Sequence, residues 1–160
     1  MSTRIGIISD THSRESLTQK AVTIFQNAKI AELIHCGDVG SEEIVRILSC
    51  FPTHYVTGNT DTGLLKTWVE RYFQKYYGGV GMFPREEKQI AFLHGDDWRT
   101  FDDLLHRKRF DLICYGHEHL FSWRMEGDTY LLNPGAFTRT APSVAVIELP
   151  EMRVERFIVE

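Results

Sequence analysis

Apolar residues in this chain fall into short runs divided by polar turns, and the period of those runs changes along its length. Arg4–Ser9 is apolar on successive positions, the pattern of a strand buried on both faces. Leu17, Ala21, Ile24, Phe25 and Ala28 then recur at helical spacing, with Ser13 or Ser16 available as the cap. Glu32–Cys36 reads as a second strand. Ser41-Glu42-Glu43 opens a second helix carrying Ile44, Ile47 and Leu48, its acidic residues suited to the positive end of the dipole. His54–Thr57 reads as a third strand. From Leu64 the pattern changes, with an aromatic-rich stretch over Thr67–Tyr77 that Gly78-Gly79 breaks. Val80–Phe83 and Gln89–Leu93 predict a hairpin around Pro84–Lys88, and Phe101–Lys108 a helix. Asp111–Tyr115 is another strand. Ser122–Glu126 and Thr129–Leu132 flank the turn Gly127-Asp128, and Val144–Leu149 with Arg153–Val159 forms a last hairpin around Pro150-Glu151. The order is βαβαβ followed by mostly β, which predicts an α/β domain of two mixed sheets packed face to face. No linker or repeat divides it, so one domain over residues 1–160 is expected.

The residues that follow the strands are more informative than the strands. Ile5–Ser9 runs into Asp10-Thr11-His12, Leu33–Cys36 into Gly37-Asp38, and Tyr55–Thr57 into Gly58-Asn59. Ile90–Leu93 runs into His94-Gly95-Asp96, and Leu112–Tyr115 into Gly116-His117-Glu118-His119. In α/β sheets the carboxyl ends of strands face the crevice where ligands bind, so these residues can converge from distant positions. Asp10 with His12, and His117 with His119, are spaced i, i+2, which in an extended segment points both side chains to one side. The set mixes carboxylate, amide and imidazole donors with no thiolate, which suits manganese, iron, zinc or nickel. A lone Gly-Asp is usually a turn, and a lone His at a strand end is usually a hydrogen-bonded residue. Five such sites in a row, each directly after a strand, favour a metal centre.

Composition narrows the class. The longest apolar runs, such as Ile90–Leu93 and Val144–Ile147, are far short of the roughly 20 residues that span a bilayer. Asp10 comes too early to leave room for a signal-peptide core, and membrane partners are not expected. Cys36, Cys50 and Cys114 have no metal or redox spacing, which fits a reducing cytoplasm. A net charge of -4 and the absence of a basic stripe argue against extended nucleic acid. His106–Arg109 reads as the solvated, cationic end of a helix. No Gly-x-Ser-x-Gly elbow or Walker loop appears, and Gly78-Gly79-Val80-Gly81 does not open a helix after a strand.

The order Asp-x-His, Gly-Asp, Gly-Asn, His-Gly, Gly-His-x-His resembles that of the calcineurin-like metallophosphoesterase superfamily. With the late Asn133-Pro134-Gly135 and the short chain, it is similar to the compact prokaryotic phosphodiesterase branch. The resemblance runs from Asp10 to about Arg139 and implies an αββα sandwich. It assigns one ion to Asp10, His12 and His119, a second to Asn59, His94 and His117, and Asp38 to both. It also implies that a hydroxide shared by two divalent ions attacks phosphorus, with manganese expected first and nickel, zinc or iron as alternatives. The implied substrate is a small or nucleotide-like phosphodiester. Two departures stand out. Gly58-Asn59-Thr60-Asp61 lacks the His that follows Gly-Asn in many members, which leaves Asp61 or metal-bound water as the leaving-group acid. His94-Gly95-Asp96 lacks a final His. Asp38, Asn59 and Asp61 are the expected catalytic residues, and Asn59 and Arg139 the expected phosphate contacts. A competing reading is a non-catalytic or weakly catalytic interaction scaffold, because the chain also resembles the retromer subunit of this fold. All seven ligand positions retain ligand-type residues, which favours the enzyme. Trp68, Tyr72, Phe73, Tyr76 and Tyr77 are the candidate face for a partner or a second copy, with core packing as the commoner use of such residues.

Overall fold

The computed structural model describes residues 1–138 and 140–160. Buried apolar strands nucleate two sheets. β1 (Thr3–Ile8), β2 (Glu32–His35), β3 (Thr53–Tyr55) and β4 (Lys75–Tyr76) run parallel, with β10 (Ser143–Leu149) and β11 (Arg153–Ile158) added antiparallel beyond β1. The second sheet has the order β5 (Val80–Arg85), β6 (Lys88–Leu93), β7 (Leu112–Cys114), β9 (Thr129–Pro134), β8 (Phe121–Glu126). Its central strands are parallel and its edges antiparallel.

Three apolar clusters give the layers. Ile5, Ile7 and Ile34 of the first sheet meet Phe92, Leu112 and Leu132 of the second in the middle. Helices α1 (Glu15–Ala28), α2 (Glu42–Leu48) and α3 (Leu64–Arg71) cover the outer face of the first sheet through Phe25, Ile44, Leu48, Leu65 and Val69. Helix α4 (Trp98–His106) covers the second sheet through Leu104, which packs with Ala91, Ile113 and Leu131. The result is the αββα sandwich of two mixed sheets. Cys36 and Cys114 are buried in the middle layer, and both are free thiols.

Several boundaries differ from the sequence reading. The stretch after Leu64 contains α3, so the alternating parallel order extends through β4 instead of ending at β3. Eight residues with only Leu65 and Val69 fully buried are too short to show a helical period. Trp68, Tyr72 and Tyr76 pack against the helix-side core and Tyr77 against the middle layer, leaving Phe73 as the exposed member. The β5–β6 hairpin is tighter than expected. Glu86 and Glu87 alone turn it, with φ of 48° and 62°, and Pro84 stays inside β5 because an edge strand tolerates a missing donor. Neither Ser13 nor Ser16 caps α1, which begins after Arg14 without a side-chain cap. Helix α4 starts three residues earlier than expected, where Asp97 accepts the Arg99 N–H. No helix among the described residues is long and apolar enough to cross a membrane.

Candidate metal centre

Five strands from both sheets deliver side chains to one end of the sandwich. Beyond β1 and β2 the parallel pairing continues as loop-to-loop bonds: Asp10 N–H to Gly37 O at 3.0 Å, His12 N–H to Asp38 O at 3.1 Å, and Ser13 N–H to Val39 O at 3.1 Å. These bonds lock the loop carrying Asp10 and His12 against the loop carrying Asp38. His35, the last residue of β2, joins the same loops from below. Its Nδ1 accepts the Gly37 N–H at 3.1 Å, which leaves Nε2 as the protonated nitrogen, 3.0 Å from the Thr11 hydroxyl. Burial drives the His35 pKa down to about 3, so the ring is a neutral strut.

The backbone that presents the candidate ligands is left-handed at five positions. Asp10, His12, Asp38, His117 and His119 have φ between 43° and 68°. Such conformations are uncommon for residues with a Cβ and gather at functional sites. The i, i+2 pairs are therefore not extended, and they behave differently from each other. Asp10 and His12 do converge, with His12 Nε2 at 3.6 Å from Asp10 Oδ1. His117 and His119 part company. His119 Nε2 lies 3.1 Å from Asp10 Oδ1, whereas His117 Nδ1 lies 3.2 Å from Asn59 Oδ1.

Two neighbouring groups result. In the first, Asp10, His12, Asp38 and His119 offer atoms that lie within 4.8 Å of one another. Ligands on one ion ~2.0–2.2 Å away are separated by at most about 4.4 Å, so the group is somewhat more open than a closed shell. His12 Nε2 is buried and has no hydrogen-bond partner, an orphan aimed between Asp10 and Asp38. In the second, His94 Nε2 sits 2.8 Å from Asn59 Oδ1 and 3.3 Å from Asp38 Oδ2, and the His94 and His117 rings meet at 5.2 Å. His94 Nδ1 donates to the Cys36 carbonyl at 2.8 Å, which turns Nε2 toward the centre. His119 is similarly held by Thr138 Oγ1 at 2.8 Å from Nδ1. Asn133 anchors the loop bearing the last two imidazoles, its amide donating to Gly116 O at 3.0 Å.

Charge agrees with the geometry. Asp10 and Asp38 are almost fully buried carboxylates facing the same space. Burial opposes the ionisation of Asp38, but His94 and the Thr60 N–H outweigh it and hold the carboxyl well below its usual range. Burial likewise opposes charge on His94, while Asp38, Asp10 and the Cys36 carbonyl raise its pKa to about 9; the two carboxylates draw a positive charge to this nitrogen, and a bound cation would take the proton's place. Two desolvated carboxylates call for a cation, and an orphaned imidazole nitrogen beside them calls for a metal.

Two glycines are required by close approach. A Cβ on Gly58 would lie 2.1 Å from Asp38 Oδ1, and one on Gly116 would lie 2.4 Å from Asp10 Oδ2. Asp61 does not face the centre as a free acid. Its Oδ2 accepts the Asp38 N–H at 2.8 Å and the Gly58 N–H at 2.9 Å, and its Oδ1 accepts the Val39 N–H at 3.0 Å. Arg139 lies outside the described residues. The supports that the sequence reading missed are His35, Thr11, Thr138 and the Cys36 carbonyl. Of these only His35 left a trace, as a polar residue inside an apolar strand.

The model of the calcineurin-like phosphoesterase superfamily domain matches residues 3–152. A phosphodiesterase of Methanocaldococcus jannaschii is 22% identical over 165 residues, covering 98% of this chain and 99% of that protein. Among solved structures, one described as a novel archaeal phosphodiesterase superposes with a TM-score of 0.89 at 21% identity, covering 98% of this chain and 99% of the other. Wild-type Vps29 of Entamoeba histolytica, complexed with zinc, superposes with a TM-score of 0.69 at 17% identity over 99% of this chain and 100% of its own. A group of candidate metal ligands at the carboxyl ends of two packed sheets, and a family match over nearly the whole length, place the chain in the calcineurin-like phosphoesterase superfamily, among its small phosphoesterases.

Proposed function

We propose that the protein is a phosphodiesterase that hydrolyses a small or nucleotide-like phosphodiester at a pair of divalent cations. The observation that carries the reading is the buried, unpartnered His12 Nε2 between two desolvated carboxylates, next to a second group of Asn59, His94 and His117. Asp10, His12 and His119 would hold one ion, Asn59, His94 and His117 the other, with Asp38 facing both. Such a pair, when bound, would supply an activated water at neutral pH and neutralise charge on the phosphoryl oxygens. The donors suit manganese, nickel, zinc or iron.

The chain's own residues do the rest. Asn59 Oδ1 faces His94 and His117, which turns its amide hydrogens away from those rings and would leave them to donate to a phosphoryl oxygen. Asp61 is a positioning residue, clamping the Asp38 and Asn59 loops together instead of protonating the leaving group. With that carboxylate committed to the main chain, turnover falls steeply as the leaving group becomes more basic. The M. jannaschii relative's description as a phosphodiesterase supports diesters over monoesters. The Vps29 likeness reflects the shared fold and supports no scaffold role by itself.

The test is hydrolysis of a chromogenic diester and its matching monoester by chelator-stripped protein, with manganese, nickel, zinc, iron or magnesium restored. Restored diesterase activity that Asp38→Ala abolishes is the expected result. Binding of two ions without turnover of any ester would overturn the reading in favour of a scaffold.

A further inference from the structure

Helix α4 leaves its largest side chain outside the core. Trp98, its first residue, is 68% exposed, whereas Leu104 of the same helix is buried. The indole borders a cavity of about 280 Å³ whose other walls include Gly95, Phe101, Tyr115, Glu118 and Arg124. Phe101 and Tyr115 meet edge to face at 5.0 Å and form an aromatic floor. Gly95 directly follows His94, and Glu118 lies between His117 and His119, so the cavity wall is within one residue of three candidate metal ligands. A neighbouring cavity lined by His94 and Gly58 shares Gly95 with this one, so the two meet at the loop that follows β6.

The lining also carries a charge preference. Asp102, Glu118 and Glu126 contribute carboxylates against Arg124 in the lining, and the Arg99 guanidinium lies over one face of the Trp98 ring, 5.4 Å from its centroid, leaving the other face for a ligand. Arg124 is already engaged, with Nη1 at 3.2 Å from Glu126 Oε2. A group bearing its own phosphate or carboxylate meets net repulsion there. A flat ring without negative charge meets an exposed indole and an aromatic floor.

Building on the phosphodiesterase reading, we propose that this cavity is the subsite for one organic arm of the substrate, and that the arm is a nucleobase-like ring, uncharged or cationic, stacked on Trp98. The metal centre takes the phosphate and the cavity takes the ring. The subsite therefore selects nucleoside diesters over alkyl diesters and over arms ending in an anion.

The experiment uses two S-ethyl phosphorothiolate diesters, one with an adenosine arm and one with an ethyl arm. Ethanethiolate leaves readily and carries no ring, and thiol release reports turnover of both. Trp98→Ala is expected to lower kcat/KM for the adenosine diester at least about fivefold more than for the ethyl diester, mainly through KM; Trp98→Phe restores most of the difference. Equal loss on both diesters, or loss on neither, overturns the proposal, as does a choline arm preferred over adenosine. A second readout does not depend on catalysis. Adenosine added to the metal-free protein should shift the Trp98 indole N–H resonance, assigned from its loss in Trp98→Phe. If no diester turns over but the resonance shifts, the phosphodiesterase reading fails and the ring subsite stands. If diesters turn over and the resonance stays still, the subsite fails alone.

Discussion

Replacing Asp61 by Asn separates a positioning residue from an acid. The wild-type carboxylate accepts three main-chain N–H groups, from Asp38, Val39 and Gly58. Burial raises its pKa and the Asp38 charge adds to this, while the three N–H bonds pull the other way. An Asn side chain supplies one acceptor. At best its oxygen keeps the Asp38 and Gly58 bonds, now neutral and each weaker by about 1 kcal/mol. Its NH₂ then faces the Val39 N–H, and leaving that donor without an acceptor costs about 1–3 kcal/mol. Relief from burying a charge and the half-exposed position offset part of this, for a net destabilisation of about 2–3 kcal/mol. At ~2–4 °C per kcal/mol for a chain of this size, Tm should fall by roughly 4–12 °C. Because the bonds tie the Asp38 loop to the Asn59 loop, metal affinity should fall about 10–100-fold. The assay is thermal unfolding in chelator, metal titration by calorimetry, and the pH dependence of kcat at saturating metal. An Asn variant with wild-type Tm and metal affinity that loses the alkaline limb of the kcat profile would refute this reasoning and make Asp61 the leaving-group acid.

Two further outcomes follow from the same geometry. Gly116→Ala puts a Cβ at 2.0 Å from Ser9 Oγ and 2.4 Å from Asp10 Oδ2, and should cut metal affinity at least about tenfold with the far-ultraviolet circular dichroism unchanged; wild-type affinity would contradict it. Glu32 is bound through both oxygens by Arg85 and faces His54. Burial works to raise its pKa, but His54, 3.6 Å away, and the Arg85 hydrogen bonds prevail and lower it to about 2. A depressed carboxylate stabilises the fold above its unfolded pKa, near 4.5, and loses that contribution as pH falls toward 2. Acid unfolding should therefore destabilise wild type more than Glu32→Gln between pH 4.5 and 2, and parallel curves would count against it.

Much of the candidate site was legible because its elements are local. A buried parallel strand is a short apolar run, and the residue ending it lies at the sheet's carboxyl end whatever the rest of the chain does. That is why Asp10, Asp38, Asn59, His94, His117 and His119 could be named from their positions after strands. Pairing was not local. Spacing i, i+2 by itself would point His117 and His119 to one side, whereas left-handed backbone on both sends His119 to Asp10 and His117 to Asn59. Helix α3 was hidden because it buries too few positions to show a period, and its aromatic neighbours revealed their core role only once packed. Asp61 shows the limit most clearly. Next to a Gly-Asn motif it reads as chemistry, and only the fold brings three N–H groups from two loops onto its oxygens. Spacing along the chain determines which residue types reach an edge of the sheet. Which of them meet, and which face inward to hold the backbone, depends on loop dihedrals and contacts across more than a hundred positions, and only the tertiary structure sets those.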